Sequence, residues 1–179
     1  EIINKYENVD VYLHITKDEK LEDRYFNQIE ERDTKAIIKV LNPVSTIIES
    51  NTYYTEDKAA NNAINHWGKL YKLNDLKKIK EEATNEKYDL VIRYRPDLSI
   101  ASKDIFDIDG EPNTIFIPSD SKIDKIKLAN ETDGYLCDAL AFGDSESMNK
   151  YFDVYNNLNE LIKNYGSVSE TILFNYLTN

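Results

Sequence analysis

Residues Tyr88–Ile100 read YDLVIRYRPDLSI, an apolar run that passes straight into two arginines and an aspartate. In a strand, successive side chains point to opposite faces. Arg93, Arg95 and Asp97 then share one face, and Ile92, Tyr94 and Pro96 share the other. Alternating charges at the end of a buried strand cost desolvation energy unless something pairs with them. Such a strand is either an exposed edge or the border of a site.

The segments on either side place this strand in an alternating pattern. Before it, Ile64, Trp67, Leu70, Tyr71, Leu76 and Ile79 recur mostly at intervals of three and four, which predicts one long or kinked helix over 61–83 with an irregular step at Asn74 and Asp75. Further upstream, VDVYLHIT (9–16) reads as a strand and the charged stretch 18–33 as a solvated helix. KAIIKVLNP (35–43) reads as a second strand stopped by Pro43, and 44–60 as polar and irregular. Downstream, NTIFIPSD (113–120) and CDALAFGD (137–144) read as strands separated by a polar surface excursion over 119–134. A helix starts at Ser145 with Met148, Tyr151, Phe152, Tyr155, Leu158 and Leu161 inward. A last one starts near Ser167, with Glu170 in capping-box spacing. Alternating strands and helices predict an α/β sandwich with a largely parallel sheet.

Composition narrows the function. The 179 residues fit one domain, and 22 basic against 33 acidic residues give a net charge of -11 with no basic stripe, which argues against a nucleic-acid partner. No stretch reaches the roughly 20 apolar residues of a membrane span, and Cys137 as the single cysteine fits a reducing, cytoplasmic location. The chain opens on Glu1 and holds its one methionine at Met148, so further sequence is expected upstream. Among five glycines there is no phosphate loop, dinucleotide fingerprint or nucleophile elbow.

The chemistry-bearing residues are then few. Open α/β sheets bind ligands at the carboxyl ends of their strands. Arg93 and Arg95 offer planar donor forks suited to phosphate oxygens, and Asp97 beside them can hold a Mg²⁺ or Mn²⁺ that bridges phosphates. The same residues also read as an Arg–Asp bridge fastening a loop. Asp133, Asp138 and Glu170 are candidate general bases near element ends, although Glu170 also reads as a helix cap. His14 and His66 are too far apart in sequence to suggest a metal site and read as packing or polar residues. Cys137 has no evident histidine partner.

Four stretches in order, VDVYLHI (9–15), NHWGKLYKLNDLKKIKEEATNEKYDLVIRYRPDLSI (65–100), DALAFGDSESMNKYFDVYNNL (138–158) and SETILFNYL (169–177), resemble a group of GT-A-like glycosyltransferases and glycosyltransferase-like proteins of surface-glycan and viral contexts. The resemblance implies a GT-A-like, Rossmann-type α/β/α sandwich with a mainly parallel central sheet. It implies one domain over 1–179 that lacks its first strand and the glycine-containing loop after it. It further implies transfer of a hexosyl group from a UDP- or GDP-sugar to a glycan hydroxyl, and since nothing in the sequence fixes a second, nucleophilic carboxylate, inversion, which needs only one base, is expected. Arg93 and Arg95 would neutralise phosphate charge, Asp97 would hold Mn²⁺ or Mg²⁺ or the donor, and Asp138 or Asp133 would orient or deprotonate the acceptor. Where such proteins carry Asp-x-Asp, this chain has Arg95-Pro96-Asp97, so arginine takes part of the cation's place. A non-catalytic module of the same fold, binding a glycan or a protein, is the competing reading. A sugar-phosphate nucleotidyltransferase ranks third, since it would want a glycine-rich basic loop.

Overall fold

The computed structural model describes residues 6, 8–17, 31–95, 112–117 and 136–178. The described elements run β1 (Tyr12–Thr16), α1 (Glu31–Leu41), β2 (Ser45–Glu49), α2 (Lys58–Thr84), β3 (Val91–Tyr94), β4 (Ile115–Phe116), β5 (Leu140–Gly143), α3 (Ser145–Phe152), α4 (Val154–Tyr165) and α5 (Ser169–Thr178). This is a mixed α/β architecture. No helix among the described residues is long and apolar enough to cross a membrane.

The described strands form two small sheets. β1 and β2 pair in parallel, from Tyr12 opposite Ser45 to Thr16 opposite Glu49, with α1 as the crossover between them. In the second sheet, ordered β3-β5-β4, the central β5 runs antiparallel to both neighbours. The mainly parallel sheet expected from the alternation is therefore confined, among the described strands, to β1 and β2. The reason is that β5 is buried along its whole length, and a continuous apolar run is compatible with either pairing direction. A hydrogen-bonded chain links the two sheets: the Tyr12 hydroxyl meets that of Tyr88 at 2.8 Å, and Tyr88 donates to Asp10 at 2.5 Å.

The second expected strand is corrected. Residues 35–41 are the end of α1, and the strand lies just beyond them, at Ser45–Glu49, in the segment read as irregular. The run KAIIKVL is rich in β-branched residues, yet Ile38 and Leu41 sit a helical step apart and are the half-buried ones, while Val40 is 80% exposed. The expected helix over 18–33 lies outside the described residues up to position 30.

Helix α2 fulfils its prediction and shows why the pattern stuttered. Asp57 caps its start by accepting from the Ala59 and Ala60 amides, and Asn85 ends it in the left-handed region at φ 55°. The helix runs unbroken through Asn74. Its buried stripe, Ala60, Ala63, Trp67, then Asn74, Lys77 and Glu81, simply turns polar in its second half. Ile79, which looked like part of that stripe, is 61% exposed. Trp67 packs with Met148, Tyr151, Val154, Ile172 and Leu173 in a core that ties α2 to the three C-terminal helices. The expected single helix from Ser145 is divided at Asp153 into α3 and α4.

The polar end of α2 grips the start of α3. Ser145 donates to Glu81 at 2.6 Å, Lys77 donates to Ser145 at 2.5 Å and to Glu81 at 3.0 Å, and the Tyr88 amide donates to Glu81 at 3.0 Å. All three side chains are buried. The hydrogen bonds of Ser145, Tyr88 and Lys77 hold the Glu81 carboxyl below its usual pKa although burial opposes them, while burial pulls Lys77 down.

Candidate functional site

Because β3 is antiparallel to β5, its carboxyl end lies beside the start of β5. The Arg95 amide donates to the Ala139 carbonyl at 2.9 Å, which brings Arg95 next to Asp138. The two arginines expected to act together are separated by burial. Arg93 is 7% exposed and donates through Nη1 to the same Ala139 carbonyl at 2.5 Å, and among the described residues nothing hydrogen-bonds its Nε. Burial lowers its pKa, with Tyr151 and Asp138 opposing. Arg95 keeps 44% of its side chain exposed.

Asp138 stands between two partners. One carboxylate oxygen lies 3.5 Å from Arg95 Nη1 and the other 3.4 Å from His66 Nε2. The His66 contact is electrostatic, since no hydrogen bond among the described residues satisfies that nitrogen. Burial lowers the His66 pKa to about 4 against the pull of Asp138, and Arg93, Arg95 and Lys69 push it further down. The imidazole is neutral at physiological pH.

Lys69, one helical step beyond His66 on α2, donates to Thr16 Oγ1 at 2.6 Å and to Asn51 Oδ1 at 2.5 Å. Thr16 ends β1, and Asn51 follows the end of β2. Arg95, Lys69, His66 and Asp138 thus gather at the carboxyl ends of β1, β2 and β3, with Trp67 and Tyr151 packed against each other beneath. In a chain of net charge -11 this is a local concentration of cations.

No family model, curated protein or solved structure matches this chain.

Of the residues singled out in the sequence, Arg93, Arg95 and Asp138 are brought together, while Asp97 and Asp133 lie outside the described residues. Glu170 accepts the Leu136 amide through its backbone carbonyl in the first turn of α5 and is no part of the cluster. His14 is engaged elsewhere, 3.0 Å from Glu49. The sequence alone reads His66 as a packing or polar residue and does not single out Lys69. Their three-residue spacing on α2, which sets both on one face, was the available signal. Among the described residues no group of three His, Cys, Asp or Glu side chains is placed to hold a metal. Asp138 itself faces a guanidinium and an imidazole rather than other carboxylates, so the described part of the cluster does not fit a divalent cation.

Proposed function

We propose that this protein is a nucleotide-sugar glycosyltransferase of GT-A-like fold that binds the donor diphosphate at the Arg95–Lys69 edge of the cluster. The observation that carries the reading is the convergence of these two cations on the carboxyl ends of three strands in an otherwise acidic protein. The parallel β1–α1–β2 unit and the sequence resemblance support the same fold.

In this reading Arg95 neutralises charge that builds on the leaving nucleoside diphosphate, with Lys69 as a second fixed cation. Arg93 is a positioning residue: buried, it fixes the start of β5 and with it Asp138. Asp138 orients the acceptor hydroxyl or takes its proton as the sugar–oxygen bond forms and the sugar–phosphate bond breaks. Neutral His66 adds no competing charge.

One observation favours a second reading. Asp138 keeps only 8% of its side chain exposed, and its two oxygens already face Arg95 and His66, as in a cluster built to bind without turnover.

Calorimetric titration with UDP, GDP and their sugar conjugates, with and without Mn²⁺, tests the proposal. Saturable binding is expected, weakened about tenfold by Arg95→Ala and by Lys69→Ala. An intact fold that binds none of them overturns the donor site. Binding without nucleoside diphosphate release across a panel of glycan acceptors establishes the second reading.

A further inference from the structure

Helix α4 carries Asn157, Glu160 and Asn164 at intervals of three and four, so they lie along one side of the helix. Together with Asn175 and Tyr176 of α5, and with Tyr165 at the end of α4, they line a groove of about 280 Å³. The buried Leu161 forms its floor.

Several of these side chains are held in place. Asn157 Nδ2 donates to the Asp153 carbonyl at 3.3 Å, and Asn175 Nδ2 donates to the Thr171 carbonyl at 2.8 Å. Burial raises the pKa of Tyr176, helped by the charge of Asp153 and a hydrogen bond to it. Tyr165 is 42% exposed and offers a ring at the rim. A groove with such restrained groups loses less entropy when a ligand binds.

The chemistry of the lining selects a class of ligand. Among the described residues that line the groove there is one carboxylate and no cation, so phosphate-, sulfate- or carboxylate-bearing ligands are disfavoured. Amides supply donors and acceptors side by side, as adjacent sugar hydroxyls require, and a tyrosine face can stack on the apolar C–H face of a pyranose ring. The volume falls just below the roughly 300 Å³ at which small-molecule pockets begin, which suits one or two sugar rings better than a sugar nucleotide.

We propose that the α4–α5 groove is a binding site for neutral sugar residues of a glycan chain. It shares no lining residue with the Asp138 cluster, and it stands whether or not that cluster transfers a sugar.

Saturation-transfer NMR on the full chain tests it, with maltotriose, cellotriose, mannotriose and triacetylchitotriose as neutral probes and a sulfated heparin disaccharide as the charged control. Transfer to ring C–H protons of at least one neutral probe is expected, with none to the heparin fragment. Tyr165→Ala should weaken that binding about fivefold, as loss of one aromatic contact implies. The doubly substituted Asn157→Ala/Asn164→Ala protein should weaken it as well, with circular dichroism unchanged. Nucleotide titrations on the same variants should match the parent, which separates this site from the donor site. Absence of transfer to every neutral probe, equal transfer to the heparin fragment, or full retention in Tyr165→Ala overturns the proposal.

Discussion

The imidazole of His66 lies 3.4 Å from the carboxylate of Asp138, yet it titrates at about 4 rather than 6.5. An adjacent carboxylate ordinarily raises a histidine. Here burial outweighs it, and three surrounding cations act in the same direction as burial. The neutral imidazole is thus a consequence of where α2 packs.

That imbalance makes stability depend on pH. The unfolded chain takes up the His66 proton near 6.5, whereas the folded protein does not until about 4. The contribution is complete above pH 6.5 and is lost as pH falls toward 4, amounting to roughly 2–3 kcal/mol. His66→Gln keeps a polar group there but cannot titrate. Denaturant unfolding of the parent should lose stability more steeply than His66→Gln between pH 7 and 4.5, and parallel profiles would show that His66 is not held neutral.

Arg93 and Arg95 should separate cleanly in experiment. Arg93→Ala removes a buried guanidinium and leaves the Ala139 carbonyl with one donor fewer, for a loss of about 3 kcal/mol in unfolding free energy. Arg95→Ala removes a half-exposed side chain from a 3.5 Å contact and should cost less than about 1 kcal/mol. Its effect should fall on nucleotide affinity instead. Equal stability losses for the two would contradict the division of labour between them.

Lys77, Glu81 and Ser145 share one buried network, with the exposed Lys87 ammonium 3.7 Å from Glu81 at its edge, so their substitutions should not add. Lys77→Met leaves the buried Glu81 carboxylate with Lys87, 3.7 Å away, as its remaining cation and should cost about 2 kcal/mol, whereas Glu81→Leu leaves the buried Lys77 ammonium without its carboxylate and should cost about 3 kcal/mol or more. The double substitution leaves neither charge behind. Its loss should be at least about 2 kcal/mol smaller than the sum of the two, a coupling that a double-mutant cycle reads directly.

How far the residues announced this structure differs from element to element. Helix α2 was legible because Ile64, Trp67 and Leu70 recur at helical spacing and pack on the core, Trp67 fully buried and the other two partly, and what blurred it was the burial of Asn74, Lys77 and Glu81, polar residues that their own types place outside. Those burials depend on Ser145 and Tyr88, partners that no local pattern reveals. The β5 run LAFG was recognisable as a buried strand, but its direction relative to β3 is set by the path of the chain between them. The period of two predicts a shared face for Arg93 and Arg95, yet Arg95 lies just past the end of β3, and the alternation could not say that one would be covered and the other left half-exposed. His66 and Asp138 lie on different elements far apart in sequence, and only the docking of α2 against the β5 start makes them neighbours.

Gly143 ends β5 where space, not backbone angle, requires glycine. A Cβ there would lie 2.5 Å from the Thr114 carbonyl oxygen, well inside contact distance and against backbone that cannot swing away. The position pairs with Val91 of β3 on one side and Ile115 of β4 on the other, and Asp144 next to it caps α3 by accepting from the Ser147 amide. Gly143→Ala must therefore push β4 outward or shift the start of α3, and overpacking of this kind costs about 1–3 kcal/mol. Hydrogen exchange should show the Asn113–Phe116 amides losing protection before those of β1 and β2. A Gly143→Ala protein with unchanged stability and unchanged exchange would mean that Thr114 does not press on β5 as closely as this geometry requires.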